Sequence, residues 1–315
     1  MLACRFDGRR VRVDPAYPDP RPPPGEVGIA VRLAGVCQTD LELVKGYMGF
    51  TGVLGHEFVG TALDGPFEGR RVVGGINCVC GRCDLCRRGL PTHCRRRTTL
   101  GIDRRDGAFA ERLALPEANL VPVPDAVPDR AAVFAEPLAA AIQITRQVAL
   151  MPDERLVILG DGRLGQLVAR VFRAGGLAPT VVGKADAKLD LVRRLGLTAV
   201  RAHEADPDTS ADVVVEATGT ADGLAMAMGF VRPRGTIVLK STVADTAGLD
   251  LAPLVVNEVT VVGSRCGPMD AAVAMLAEAD LDLEPLVTAE YPLSEAVSAL
   301  AAAARPEAIK VLIRP

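Results

Sequence analysis

The chain has 315 residues, 49% of them hydrophobic and 24% charged, the composition of a soluble globular protein long enough for two domains. Thirty-six basic residues against 39 acidic ones leave a net charge of −3, which argues against nucleic acid or an anionic membrane as the main partner. No apolar run approaches the ~20 residues of a membrane-spanning helix.

The chain begins "MLACRFDGRRVRV", charged from residue 5 onward, without the apolar stretch of a secretory signal. A reducing, cytoplasmic compartment is therefore expected, where eight cysteines serve as thiols or metal ligands rather than disulfides. Up to about residue 130 the pattern is short β-like runs, such as "EVGIAVRLAGV" and "RVVGGI", punctuated by proline and glycine. That predicts an antiparallel β domain. Within it "GVCQTDLE" carries Cys37 and "VLGHEFVG" carries His56, one of only three histidines. Taken singly, each reads as readily as an ordinary packed residue.

Residues 77–94, "NCVCGRCDLCRRGLPTHC", hold five of the eight cysteines. Cys80, Cys83, Cys86 and Cys94 form C-x2-C-x2-C-x7-C, a spacing that wraps four thiolates around one tetrahedral ion at about 2.3 Å. A sulfur-only set favours zinc, and four protein ligands close the site, so this ion is expected to staple a loop and perform no chemistry. Cys78 follows the apolar "RVVGGIN" and is expected as a buried strand thiol. The arginines around the cluster, from Arg82 to Arg97, read as solvated surface.

From about residue 136 the pattern becomes helix and strand in alternation: "EPLAAAIQITRQVAL", "RLVILG", "RLGQLVARVFRAG", "TVVG", "ADVVVEATG", "TIVLKS". Fully apolar strands between amphipathic helices predict a doubly wound parallel sheet, so the fold class is α/β with a boundary near residues 133–136. "RLVILGDGRLGQLVARVF" runs from strand into Gly160-x-Gly162-Arg163-Leu164-Gly165 and then helix, the setting in which a glycine-rich turn binds a dinucleotide. Gly160 permits the turn, Gly162 the approach of a pyrophosphate, and Gly165 close helix–strand packing. Glu136, in "VFAEPLAAA", stands at a helix start.

"PGEVGIAVRLAGVCQTD", "GHEFVG", the four-cysteine lobe, "AEPLAAA" and the glycine fingerprint occur together in the order and spacing of the zinc-dependent medium-chain dehydrogenases, which this sequence resembles over nearly its whole length. The resemblance implies a GroES-like β domain of residues 1–133 and 265–315, with a Rossmann domain of residues 134–264 between them. It implies two zinc ions per chain. Cys37, His56 and Glu136 fall on catalytic ligand positions, and glutamate rather than cysteine at 136 matches the polyol, sugar and threonine branch. Glu57 would be a direct or water-mediated ligand, Asp40 would orient His56, and Thr39 would relay the proton. His93 and His203 match no ligand position. The implied reaction is hydride transfer between an alcohol, or its carbonyl counterpart, and a nicotinamide cofactor, in a homodimer or homotetramer.

Setting Lys188-Leu189 on the family's basic–apolar pair puts Gly183 where an NAD enzyme places the acid that hydrogen-bonds the ribose 2′-hydroxyl, with Lys184 next to it. With no carboxylate there and lysine able to meet a 2′-phosphate, helped by Lys188, NADP(H) is expected over NAD(H). Two rivals share parts of this pattern: a zinc-free quinone or enoyl reductase, and a non-catalytic protein that binds zinc and nucleotide.

Overall fold

The structure, a computed structural model, describes residues 1–242 and 248–315. The chain divides into two compact units: Met1–Glu136 with Met269–Glu278 and Asp282–Pro315, and Pro137–Pro268 with Ala279–Leu281.

In the first unit the long strand Glu26–Gly35 anchors a seven-stranded sheet. Val27, Ile29, Val31 and Leu33 are buried at alternate positions, the core-facing side of the strand, while Arg32 between them is exposed. It pairs antiparallel with Glu57–Ala62, with Arg112–Pro116 and, from the far end of the chain, with Lys310–Arg314. This return sets Lys310 into the same core as Glu57. Gly35 stands opposite Glu57 in the ladder, and a Cβ on Gly35 would lie 2.5 Å from Glu57 Oε2, so only glycine leaves that carboxylate its place.

The second unit holds a six-stranded, all-parallel sheet in the order Thr198–Arg201, Thr180–Gly183, Leu156–Leu159, Ala211–Glu216, Val231–Leu239, Thr260–Gly263. This is the dinucleotide-binding strand order, reversing at the central strand. Leu156–Leu159 is buried at all four positions, each apolar side chain there contributing about 1.5–3 kcal/mol. The helix Arg163–Ala174 buries Leu167, Val168, Val171 and Phe172 together with Gln166 and Arg170. Those two polar groups are satisfied: Gln166 Nε2 donates to the Lys188 carbonyl at 2.8 Å, and Arg170 donates to Gln166 Oε1 at 2.8 Å. Among the described residues no helix is long and apolar enough to cross a membrane.

Candidate functional site

The four-cysteine lobe is compact. Its ligand atoms all lie within 4.8 Å of one another, with Sγ–Sγ separations of 3.5 Å for Cys80–Cys94, 3.5 Å for Cys83–Cys86 and 3.8 Å for Cys83–Cys94. Four sulfurs about 2.3 Å from one tetrahedral ion stand about 3.8 Å apart, so the cage fits zinc. Backbone N–H groups of Cys86 and Arg95 lower Cys83 to about 6, whereas desolvation and the neighbouring thiols push Cys86 up to about 12. Thiols this close cannot all ionise without a cation among them. Cys78 lies in the strand Asn77–Cys78, buried and raised to about 11 by desolvation, apart from the cage.

A second group forms where the strand Glu26–Gly35 runs out. Cys37 caps the helix Gln38–Val44, and its Sγ, the His56 ring and the Glu57 carboxylate offer ligand atoms within 4.8 Å of one another. Asp40, fully buried, fixes the first two relative to each other. Its Oδ2 accepts the Cys37 N–H at 2.8 Å, and its Oδ1 accepts the Gly55 N–H at 3.2 Å while standing 3.2 Å from His56 Nδ1. That last contact is close but off the line of a good hydrogen bond. Burial alone would lower the His56 pKa, yet the Asp40 carboxylate and the Cys37 sulfur hold it well above the ordinary histidine value. Thr39 Oγ1 lies 3.8 Å from Cys37 Sγ.

Glu57 is held from the other side. Its Oε2 pairs with Lys310 Nζ, both residues being buried, and that ammonium stands 5.4 Å over the Phe134 ring. Glu136, in the first turn of the helix Ala135–Gln147, is outside the Cys37–His56–Glu57 group. The structure thus gathers Cys37, His56, Glu57, Asp40 and Thr39, and adds Lys310, which the sequence does not single out. His93 and His203 are exposed and belong to neither cluster.

The glycine-rich turn fits a dinucleotide. Gly160 has φ +115° and a Cβ there would meet the Ala217 carbonyl at 2.5 Å; a Cβ on Gly165 would meet the Gly160 carbonyl at 1.9 Å. At Gly162, the N-cap of Arg163–Ala174, a Cβ would find nothing within 4 Å, so the helix N-terminus opens onto a cradle for an anion. Arg163 and Leu164 form the first turn behind it. Gly183 ends its strand, Lys184 is exposed, and Lys188 lies in the helix Asp186–Arg194. The expectation that no carboxylate faces this strand end does not hold. Asp161, from the turn itself, brings its Oδ2 to 2.8 Å from the backbone N–H groups of both Lys184 and Ala185.

Comparison with known proteins agrees with this geometry. Residues 23–125 match the alcohol dehydrogenase GroES-like domain family, and residues 131–314 match the family described as glucose dehydrogenase C-terminus. A 2-dehydro-3-deoxy-L-galactonate 5-dehydrogenase from Pseudoalteromonas atlantica is 28% identical, covering 93% of this chain and 92% of its own. An L-threonine 3-dehydrogenase from Streptomyces avermitilis is 30% identical over 94% of both chains. Among solved structures, a putative zinc-binding dehydrogenase from Sinorhizobium meliloti bound to NADP superposes with a TM-score of 0.90 at 25% identity, over 100% of this chain and 99% of that one. With a GroES-like β unit and a Rossmann unit both matched, the chain belongs to the zinc-type medium-chain dehydrogenases, which interconvert alcohols and carbonyls with a nicotinamide cofactor.

Proposed function

We propose that this protein is a zinc-dependent dehydrogenase of secondary alcohols on polyols, sugars or related hydroxy compounds, with one catalytic and one structural zinc per chain. The observation that carries it is the Cys37–His56–Glu57 group organised by buried Asp40: a soft thiolate, an imidazole and a carboxylate converge, and three protein ligands would leave a fourth tetrahedral position for substrate oxygen. A zinc ion held there would supply Lewis acidity to the alcohol oxygen, and a bound nicotinamide cofactor would supply the hydride acceptor. The chain's own groups do the rest. Cys37 and His56 would hold the ion with Glu57 or Glu136 as the third ligand; Asp40, beside Nδ1, would leave Nε2 as the ligating nitrogen, and Lys310 restrains Glu57. Thr39 carries the substrate hydroxyl proton outward. Gly160, Gly162 and Gly165 admit the pyrophosphate.

Taken by themselves, Gly183 and Lys184 favour NADP(H). A reducing cytoplasmic setting, in which clustered thiolates stay available to metal, and a homodimer or homotetramer are the proposed context. No nucleic acid or membrane enters this reading. The zinc-free reductase rival has no use for either ligand cluster.

The test is elemental analysis of purified protein with a turnover screen over polyols, sugar acids and hydroxy-amino acids, using NAD⁺ and NADP⁺. Two zinc ions per chain and turnover of at least one substrate class are expected, with the catalytic ion and turnover both lost in Cys37→Ser. One metal or none in wild type sinks the proposal.

A further inference from the structure

We propose that Asp161, in the glycine-rich turn, reads the 2′ position of the adenosine ribose and turns the cofactor preference to NAD(H). This rests on the dinucleotide site of the proposed function and deepens it. Residue 161 comes beside residue 183 because their strands are adjacent and parallel: Leu159 pairs with Val182, and the Gly160 N–H donates to the Val182 carbonyl at 2.8 Å. A Cβ built on Gly183 would lie 2.5 Å from Asp161 Cβ and 2.6 Å from both its Cγ and Oδ2. The space of a strand-end acid is therefore filled by a carboxylate delivered from the neighbouring turn. Glycine at 183 is what admits it.

The carboxylate is clamped as well as placed. Oδ2 accepts two backbone N–H groups, from Lys184 and Ala185, each at 2.8 Å. Those are donors that the strand-to-helix turn would otherwise offer to an anion such as a 2′-phosphate. A ribose hydroxyl can donate to Oδ1, the acceptor role that the strand-end acid plays in NAD sites, whereas a phosphate dianion would meet a like charge. The neighbouring cation does not reverse this. Arg201, opposite Gly183 in the next strand, is engaged by Asp186, with Nε donating to Oδ1 at 2.6 Å. That pair also accounts for Asp186, the other acid near the turn. Lys184 remains as an exposed positive charge, which solvent screens strongly, and Lys188 is half-buried in the following helix.

The experiment is binding of NADH and NADPH to the zinc-loaded protein, followed by calorimetry and by ligand-induced melting shifts, neither of which needs turnover. Wild type is expected to bind NADH about tenfold or more tightly than NADPH, an order-of-magnitude figure for one like-charge contact near a surface. Asp161→Asn keeps the shape and the acceptor but removes the charge, so the ratio should fall toward unity through tighter NADPH binding. In Asp161→Gly with Gly183→Asp, the carboxylate returns to the strand end and the NADH preference should return with it. Wild type that prefers NADPH, or an unchanged ratio in Asp161→Asn, overturns the assignment while leaving the nucleotide site intact. Protein that binds neither dinucleotide overturns the site and the assignment together.

Discussion

Thr39 carries the most specific residue-scale expectation. Its hydroxyl stands 3.8 Å from Cys37 Sγ, two positions along the same helix start, where a proton leaving an alcohol beside the metal would have its first acceptor. Thr39→Val removes the hydroxyl with little change of volume, so kcat should fall by about 10²- to 10⁴-fold, the range for lost acid–base assistance. Thr39→Ser should keep most of the rate, and equal steady-state rates for the two variants would rule the relay out. That Cys37, His56, Asp40 and Thr39 come together was legible through the family resemblance, since they sit within short motifs whose order along the chain carries it. Lys310 was not. It meets Glu57 from 253 residues away, and in "AIKVLIRP" it reads as any strand lysine. Its burial makes sense only with Glu57 present, since either charge alone in that core would be uncompensated, a loss of roughly 3–5 kcal/mol. Asp161 was missed for a different reason: the fingerprint fixes its glycines and leaves that position open, while the contact that gives Asp161 meaning crosses to the next strand.

At the scale of elements, the gathering of Cys80, Cys83, Cys86 and Cys94 was readable because the cage is local, closed within fifteen residues by spacing alone. Its regular structure is slight: the helix Asp84–Arg87, the turn Pro91–His93 and the two-residue strands Asn77–Cys78 and Thr98–Thr99. So little hydrogen-bonded structure would leave the loop dependent on the proposed ion for its order. Cys83→Ser should leave one zinc per chain and lower the melting temperature by about 5 °C or more, given about 2–4 °C per kcal/mol for domains of this size. Calorimetry alongside elemental analysis checks it, and a variant that has lost the ion yet melts like wild type would remove the stapling role. The apolar strands of the parallel sheet were equally legible, since burial on both faces leaves continuous Val, Ile and Leu runs. The return of Lys310–Arg314 to the first unit's sheet was not visible in periodicity and came only with the family resemblance.

For the whole molecule, assembly is the open expectation, and one edge of the second unit says how it would occur. Thr260–Gly263 is the last strand of the parallel sheet, three of its four residues are exposed, and no strand among the described residues covers its outer side. Beside it in the chain, Leu251, Val255 and Val256 are exposed apolar residues, the two valines at 77% and 79%, and Val261 on the strand itself is exposed too. An uncovered strand next to bare aliphatic surface is a hazard that a protein of this size must hide, and a second copy, related by a two-fold axis, hides both at once. The near-neutral net charge of −3 offers little repulsion against that pairing. Light scattering at micromolar concentration should therefore find twice or four times the 33.1 kDa chain mass. Val255→Glu with Val256→Glu adds a pair of charges to the same patch on each copy and should shift the population toward monomer with both zinc ions retained. Wild type that runs only as monomer would overturn the assembly, and an unshifted double variant would move the interface elsewhere.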